Sequence, residues 1–177
     1  MESFSIRMAR TDELQKLVDI DNEASELYVQ AGLTFTFEKG HPFVVAESSR
    51  WACAIEQGLS HVAVNSEDHP IGFATLSFVD GEHYLDQIAV RPTVMRRGIG
   101  ATLIHHAISW SRDRPLWLTT YAHLPWNRPY YERYGFVPVP EGECGTELQA
   151  ILLDQRSVLP NPEQRIAMMR ASFINGT

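Results

Sequence analysis

A glycine-rich segment, Met95-Arg96-Arg97-Gly98-Ile99-Gly100, stands between a predicted strand and a predicted helix. The first turn of a helix exposes backbone N–H groups without partners, and the helix dipole adds partial positive charge there. Gly98 and Gly100 lack a Cβ atom, so an anion can approach this backbone closely. Arg96 and Arg97 add positive charge beside it. The segment therefore predicts a phosphate site, and a diphosphate fits it better than a sugar or a lipid.

The neighbouring residues exclude two common nucleotide-binding motifs. The P-loop needs Lys and then Ser or Thr after its second glycine, where this chain has Ala101 and Thr102. The dinucleotide-binding fingerprint needs Gly or Ala at the position of Leu103. That fingerprint also belongs to a first βα unit, whereas this segment follows several predicted strands.

Charge and composition restrict the class of partner. The formal net charge of −7 argues against a nucleic-acid backbone, while the cluster of Arg91, Arg96 and Arg97 favours a small anionic ligand. Only two cysteines occur, and no Cys or His cluster has zinc spacing, so neither a disulfide scaffold nor a metal site is expected. No apolar run has the length of a membrane span, and the first residues do not resemble a secretion signal. A cytoplasmic location is therefore expected.

The elements that must position the glycine segment follow from hydrophobic patterning. Alternation predicts a meander of strands at 61–65, 71–79 and 83–90, in which Asp80-Gly81 is a hairpin turn. In the third strand Leu85 and Ile88 both have the character of core residues. This break in alternation predicts a β-bulge, with an edge strand lacking a bulge as the alternative.

The remaining pattern predicts alternating helices and strands. A helix over 98–111 should follow the glycine segment, then a strand over 116–121 and a short helix that Gly135 ends. Upstream, Ser48 and Ser49 are expected to cap a short helix that stops near Gly58. A closing strand is expected over 165–169, and exposure at a sheet edge would allow it to form a homodimer.

Four features in order resemble the GNAT family of N-acetyltransferases. They are Leu85-Asp86-Gln87-Ile88-Ala89-Val90-Arg91-Pro92, the glycine segment, Asn127 and Tyr131-Glu132-Arg133-Tyr134-Gly135-Phe136. The glycine segment alone is a weak signal, but it is strong when joined to a Tyr four residues ahead of Gly-Phe. The resemblance covers at least residues 6–136. It implies a single α/β (α+β) domain over 1–177, with a mostly antiparallel central sheet splayed at a β-bulge and flanked by helices.

The resemblance implies acetyl-CoA as cosubstrate. Its diphosphate would be held by the backbone of Arg96, Arg97, Gly98, Ile99, Gly100 and Ala101. Its pantetheine arm would pair with the strand backbone at Ile88, Ala89 and Val90. Asn127 either hydrogen-bonds this arm or caps the helix before Pro129. Two positions depart from the family: Met95 stands where members usually have Gln or Arg, and Leu124 stands where many have Asn.

The resemblance also implies catalytic roles. Tyr131 matches the family's Tyr near the thioester sulfur, and a phenol, with pKa about 10, can donate its proton to the leaving thiolate. Tyr131 is therefore the predicted general acid, while Tyr130 and Tyr134 are expected to pack. A base must also take a proton from an ammonium substrate. The candidates are Asp86 first, then Glu82, His83 and His123, because Gln87 occupies one place where the family often has a carboxylate.

The expected function is transfer of an acetyl group to a primary amine of a small molecule or peptide by direct attack. The acidic balance favours a cationic acceptor through electrostatic steering. One alternative is transfer of a longer acyl group, if Tyr28, Phe35 and Phe37 form the wall of a pocket rather than core plugs. Another is a catalytically silent acetyl-CoA-binding module that regulates a partner.

Overall fold

Short strands alternate with helices along residues 3–172, the part of the chain that the computed structural model describes. The strands are β1 (Ser5–Met8), β2 (Ser60–Val64), β3 (Pro70–Val79), β4 (Glu82–Val90), β5 (Leu116–Tyr121), β6 (Val137–Val139) and β7 (Arg165–Arg170). The helices are α1 (Leu14–Ala24), α2 (Glu26–Gln30), α3 (Pro42–Glu56), α4 (Ile99–Ser111), α5 (Arg128–Glu132) and α6 (Thr146–Val158).

The strands form a seven-stranded mixed sheet in the order β1-β2-β3-β4-β5-β7-β6. Antiparallel pairs join β1 to β2, β2 to β3, β5 to β7 and β6 to β7, whereas β4 and β5 run parallel. A two-residue turn connects β3 to β4, with φ of 53° at Asp80 and 75° at Gly81. A type I′ hairpin turn requires positive φ at both positions. The mixed α/β fold and the hairpin turn are therefore confirmed.

Strand β4 departs from alternation one position earlier than the sequence indicates. Tyr84 and Leu85 are neighbours and both are buried. Ile88, which was expected in the core, is only partly buried. The residue type of Ile88 suggests burial, but the direction of its side chain depends on its position along the strand. The next residue, Ala89, is the one that is buried. The β-bulge itself stays a prediction.

The chain divides into two compact units, one formed by Met1–Ser77 and Asp86–Ala107 and the other by Phe78–Leu85 and Ile108–Thr177. In the first unit, α1 and α3 contribute to a core with strand residues: Leu17, Ile20, Trp51, Ile55, Val62, Val64, Phe73 and Ala89. In the second unit α6 and its neighbours form a core cluster: Tyr84, Cys144, Leu148, Leu152 and Ala167. A single domain over 1–177 stays a prediction.

Helix α6 receives its N-terminal cap from the turn between β3 and β4. The two carboxylate oxygens of Asp80 accept hydrogen bonds from the N–H groups of Glu147 (2.9 Å) and Leu148 (3.0 Å). The Glu147 carboxylate accepts one in return from the Asp80 N–H. This is the reciprocal exchange of a capping box, made here by a residue 67 positions away. A Cβ at Gly145 would lie 2.2 Å from Asp80 Cγ, so a side chain at this position would displace the capping carboxylate.

Helix α3 begins earlier than the sequence indicates. His41 occupies the N-cap position, and its Nδ1 accepts a hydrogen bond from the Phe43 N–H at 3.2 Å. Ser48 and Ser49 lie inside the helix, where the Ser49 hydroxyl donates to the Val45 carbonyl at 2.8 Å. The predicted cap at these serines is wrong because the helix begins before them. A serine in a helix interior can satisfy its hydroxyl by such a bond to a carbonyl of the preceding turn.

The closing strand does not lie at a sheet edge. Strand β7 pairs with β5 on one side and with β6 on the other. The expectation that β7 has an exposed edge is therefore wrong, and a homodimer stays a prediction. The strand that covers β7, β6, has only three residues. Alternation over so few residues does not indicate which strand it pairs with.

Candidate functional site

The glycine segment turns the chain sharply before helix α4. Met95 is extended, and Arg96 and Gly98 have positive φ values of 62° and 84°. Left-handed residues in a turn direct successive backbone N–H groups toward one concavity, which suits an anion. A Cβ added at Gly98 would meet no atom within 4 Å, so the space beside this backbone is open. Glycine is therefore favoured at this position by its φ rather than by crowding.

The first turn of α4 supplies backbone donors. The Thr102 N–H donates to the Gly98 carbonyl at 2.9 Å, which starts the helical ladder. The N–H groups that precede it belong to Ile99, Gly100 and Ala101, and a helix offers them no carbonyl one turn back. The Ile99 side chain is buried and fixes this turn against the core. The turn therefore presents donors on a fixed backbone at the positive end of a 13-residue helix.

A glycine in β3 allows this first turn to pack closely. A Cβ at Gly72 would lie 3.1 Å from both the Ala89 carbonyl oxygen and Ile99 Cγ2, and 3.3 Å from Val90 Cγ2. A side chain at this position would force the end of β4 or the start of α4 to move slightly apart. No local pattern in the sequence distinguishes Gly72, because its neighbours here are distant in the chain.

The three arginines near the segment differ in their surroundings. Arg91 forms an ion pair with Glu23 of α1, and its Nε donates to the Pro70 carbonyl at 3.2 Å. The expectation that Arg91 adds to a basic patch for a ligand is therefore wrong, because Glu23 balances its charge. Arg96 and Arg97 have exposed side chains. The local positive charge of the segment comes from these two.

The end of β4 carries the three residues predicted to pair with a pantetheine arm. Ala89 is buried, and Ile88 and Val90 are partly buried. The Ile88 N–H donates to Oε1 of the preceding Gln87 at 3.1 Å. The side chain of Gln87 therefore reaches the backbone that the sequence assigns to the cofactor.

Asp86 is a buried carboxylate paired with an arginine. Its side chain is 7% exposed, and its two oxygens accept hydrogen bonds from Arg50 Nε (3.2 Å) and Nη2 (3.4 Å). Burial raises the pKa of the Asp86 carboxyl, and Arg50 opposes that rise. A guanidinium that meets both oxygens holds a carboxylate in one orientation. A proton accepted by Asp86 would weaken this ion pair.

A second carboxylate, Asp21 of α1, is not indicated by any motif. Its Oδ1 accepts a hydrogen bond from Gln87 Nε2 at 2.8 Å. Burial raises the pKa of Asp21 to about 7, and the hydrogen bond from Gln87 opposes that rise. The signal in the sequence is its position: Leu17, Ile20 and Ala24 share its face of the helix, so a carboxylate interrupts an apolar stripe.

Tyr131 is held by the way helix α5 ends. Gly135, with φ of 86°, follows the helix, and its N–H donates to the Glu132 carbonyl at 3.1 Å. The Phe136 N–H donates to the Tyr131 carbonyl at 3.3 Å. These two bonds form a Schellman motif, in which the first residue and the residue after glycine also make an apolar contact. The Tyr131 and Phe136 rings make that contact edge to face, with centroids 5.9 Å apart.

The spacing of Tyr131, Gly135 and Phe136 therefore has a physical cause. The left-handed glycine reverses the chain, and the buried ring of Phe136 comes to rest against the ring of Tyr131. The other two tyrosines contact each other, with Tyr130 and Tyr134 centroids 5.1 Å apart. Burial raises the pKa of Tyr130, and its hydroxyl lies 3.5 Å from that of Tyr134.

Asn127 is buried at the start of α5. It occupies the N-cap position, and its carbonyl accepts a hydrogen bond from the Tyr131 N–H at 3.0 Å, but its side chain makes no capping bond. Asn127 therefore stands at the predicted cap position of the helix, but it does so without a side-chain capping bond. A contact between Asn127 and the cofactor stays a prediction.

The remaining base candidates have partners of their own. Glu82 forms an ion pair with Arg114 at 3.2 Å. His83 packs against the Trp110 ring at 4.3 Å, and burial together with Arg114 lowers its pKa. His123 is exposed and contacts the Tyr121 ring edge to face.

The predicted residues are distributed over both units. Asp86, the three residues at the end of β4 and the glycine segment belong to the first unit, and Asn127 and Tyr131 belong to the second. Within residues 3–172, no group of three or more His, Cys, Asp or Glu side chains could hold a metal ion. In the same part of the chain, no helix combines the length and the apolar character needed to cross a membrane.

Comparison with known proteins gives consistent matches. The sequence profile of the acetyltransferase (GNAT) family matches residues 16–136. The uncharacterized N-acetyltransferase YafP of Escherichia coli strain K12 is 26% identical over 141 residues, which is 80% of this chain and 86% of that protein. The peptidyl-lysine N-acetyltransferase YjaB of the same organism is 30% identical over 113 residues, 62% of this chain and 67% of that protein.

The fold is also similar to a solved structure. The PaiA N-acetyltransferase from Thermoplasma acidophilum, solved in complex with coenzyme A, superposes with a TM-score of 0.64. The match covers 96% of this chain and 99% of that protein at 16% sequence identity. At this identity the likeness concerns the fold.

Proposed function

The chain belongs to the acetyltransferase (GNAT) family, and on that premise we propose that it transfers an acetyl group from acetyl-CoA to a primary amine. The observation that carries the proposal is the start of α4, where left-handed Arg96 and Gly98 precede a first helical turn whose N–H groups have no carbonyl one turn back. The coenzyme A in the structurally similar PaiA acetyltransferase supports the choice of cofactor. The acceptor is the amine of a small molecule or of a peptide lysine, as the name of YjaB suggests.

The binding proposal assigns each part of the cofactor to a segment. Backbone N–H groups of residues 96–101 hold the diphosphate, assisted by the exposed side chains of Arg96 and Arg97. The pantetheine arm pairs with the backbone of β4 at residues 88–90, and Asn127 adds a hydrogen bond to it. Because most of these contacts use main-chain groups, Met95 at the start of the segment does not prevent binding.

The reaction is direct attack by a neutral amine on the thioester carbonyl. A C–N bond forms, the C–S bond breaks, and the departing thiolate takes a proton. Tyr131 donates that proton, since phenols are protonated at neutral pH and its ring is fixed by the Schellman motif with Phe136. Alignment of the amine and the thioester supplies much of the rate.

A proton must also leave the acceptor ammonium before attack. Among the residues that the sequence nominates, Asp86 is the first candidate acceptor, because it is a buried carboxylate on β4. Its ion pair with Arg50 opposes protonation, which makes it a weaker base than burial alone would give. The proposed location is the cytoplasm, where the free thiols of Cys53 and Cys144 would stay reduced.

The test combines binding and turnover. Calorimetric titration measures acetyl-CoA affinity, and thioester consumption with a panel of primary amines measures activity in wild type, Tyr131→Phe and Tyr134→Phe. We expect Tyr131→Phe to bind acetyl-CoA as wild type does and to lose about 100-fold or more in kcat, the typical share of a general acid. Tyr134→Phe, which removes a neighbouring hydroxyl, should stay close to wild type.

The other outcomes have definite meanings. Absence of acetyl-CoA binding by the wild type would refute the proposed function. Binding without acetylation of any amine would favour a silent regulatory module. Faster consumption of longer acyl-CoA thioesters would favour a longer acyl group, and full turnover by Tyr131→Phe would reject only the general-acid role.

A further inference from the structure

Asp21 lies on the side of α1 that faces the core of the first unit. The helix buries Leu17 and Ile20 completely, and Asp21 follows directly on the same face. Asp21 as a residue is partly buried, and burial of its carboxyl group raises its pKa. A carboxylate on the core-facing side of a helix loses hydration, which costs free energy. Such a group usually has a compensating partner or a functional role.

The partner that Asp21 has is neutral. Gln87 Nε2 donates to Asp21 Oδ1 at 2.8 Å, and Gln87 Oε1 accepts from the Ile88 N–H at 3.1 Å. The amide of Gln87 therefore connects the carboxylate to the part of β4 assigned to the pantetheine arm. One hydrogen-bonded side chain separates Asp21 from the backbone next to which the thioester is expected.

Other carboxylates of the same unit have cationic partners. Glu13 binds Arg7 at 2.8 Å, Glu23 pairs with Arg91, and Asp86 binds Arg50 at 3.2 Å. Within residues 3–172, no cationic side chain forms an ion pair with Asp21. The charged groups of the surrounding elements form two ion pairs. Arg50 of α3 pairs with Asp86 of β4, and Arg91 pairs with Glu23 of α1. Unlike these three carboxylates, Asp21 has no cationic partner among the described residues, so its negative charge is available to an external cation.

We propose that Asp21 receives the ammonium group of the acceptor and takes the proton that this group loses before attack. This inference rests on the proposed acetyl transfer and names Asp21, rather than Asp86, as the group that meets the acceptor. A carboxylate without a cationic partner attracts a primary ammonium, and its pKa of about 7 suits proton transfer near neutral pH. Gln87 is a positioning residue that orients the carboxylate.

The proposed step balances. The ammonium transfers one proton to Asp21 Oδ and becomes a neutral amine, whose lone pair forms the C–N bond. The C–S electrons leave with the thiolate, which accepts a proton from the general acid. The proton on Asp21 then passes to solvent, and the carboxylate is ready for the next ammonium. No oxidant, reductant or metal is needed.

The test compares Asp21→Asn with Asp19→Asn. Asn keeps the shape of Asp21 and can still accept the Gln87 hydrogen bond, but it carries no charge and takes no proton. Asp19 is an exposed carboxylate of the same helix that also accepts a hydrogen bond from a glutamine, Gln15, at 2.9 Å. The control variant therefore changes the net charge equally and leaves the proposed acceptor position intact.

We expect Asp21→Asn to bind acetyl-CoA with wild-type affinity and to lose about 100-fold or more in kcat/KM for the amine. We expect kcat/KM of the wild type to fall toward acidic pH as Asp21 becomes protonated, and this fall should disappear from the variant. Gln87→Met should move that acidic limb to higher pH, because the lost hydrogen bond had lowered the pKa of Asp21. Asp19→Asn should match the wild type throughout.

A second readout does not need turnover. Addition of a primary amine to protein saturated with CoA should raise the Tm of the wild type and of Asp19→Asn, but not that of Asp21→Asn. Equal amine-dependent Tm shifts in all three proteins, or wild-type kcat/KM in Asp21→Asn, would overturn the inference. A large loss in Asp86→Asn alone would return the role to Asp86, whereas failure of the wild type to bind acetyl-CoA would refute the proposed function instead.

Discussion

Replacing Gly135 with Ala tests the effect of its backbone conformation separately from any steric effect of an added side chain. Gly135 adopts φ of 86°, and the nearest atoms to an added Cβ belong to Arg170, at 3.8 and 3.9 Å. These are ordinary contact distances, so Ala would meet no steric obstacle. The whole effect of the substitution should therefore come from the left-handed backbone.

The magnitude follows from two opposing effects. A non-glycine residue in the left-handed region costs about 1–2 kcal/mol. Ala also restricts the unfolded chain, which returns about 0.4–1 kcal/mol. The net loss in unfolding free energy should be about 1 kcal/mol, or about 2–4 °C in Tm for a chain of this size.

The effect on activity should exceed the effect on stability. Strain from Ala at position 135 should shift the backbone that carries Phe136. The N–H and the ring of Phe136 hold Tyr131 in place. Small displacements of a catalytic group can cost about 100-fold in rate. We therefore expect kcat of Gly135→Ala to fall about 10-fold or more, while acetyl-CoA affinity stays at the wild-type value.

Urea denaturation gives the stability, and initial rates at saturating acetyl-CoA and amine give kcat. Gly142→Ala is the matched control, since an added Cβ there meets no atom within 4 Å and its φ is not positive. Gly135→Asn should recover part of both losses, because Asn tolerates this conformation best after Gly. If Gly135→Ala is as stable as Gly142→Ala, the argument from left-handed backbone is wrong. If it is destabilised but keeps wild-type kcat, the Schellman motif does not position Tyr131.

Two further predictions concern the first unit. Gly72→Ala should lower the unfolding free energy by about 1–3 kcal/mol and weaken acetyl-CoA binding, because its Cβ would press on Ala89 and Ile99 at 3.1 Å; calorimetry would contradict this if affinity is unchanged. Burial and neighbouring His106 lower the pKa of His61 to about 4. The unfolded chain then binds more protons than the folded one, so stability should fall by up to about 3 kcal/mol as pH drops from 6.5 toward 4. Urea denaturation at pH 7.5 and 5 measures this, and equal values would contradict it; His61→Phe should lose the dependence.

Features encoded by nearby residues can be predicted from the sequence. The hairpin turn at Asp80-Gly81 and the glycine segment before α4 depend on φ preferences and on hydrogen bonds within a few positions. The run from Tyr131 to Phe136 is similarly local, because its Schellman motif spans six residues. Family resemblance adds the function of these segments, but their shapes follow from glycine and helix termini.

Features made by distant residues escape such reasoning. The hydrogen bond between Asp21 and Gln87 joins positions 66 apart, and the ion pair between Arg50 and Asp86 joins positions 36 apart. Neither pair has a periodicity or a motif. Arg91 shows the converse error, since its nearness in sequence to Arg96 suggests a shared ligand although Glu23 holds it.

The position of β7 in the sheet has a consequence for folding during synthesis. Strand β7 lies between β5 and β6, and β6 finds its partner only in β7 among the described pairs. During synthesis, residues 137–139 emerge from the ribosome before their partner at 165–170 exists. The strand β5 must likewise wait with one edge uncovered. The newly made chain therefore carries an exposed strand edge until β7 has been made, and this is the interval in which aggregation or chaperone binding competes with folding.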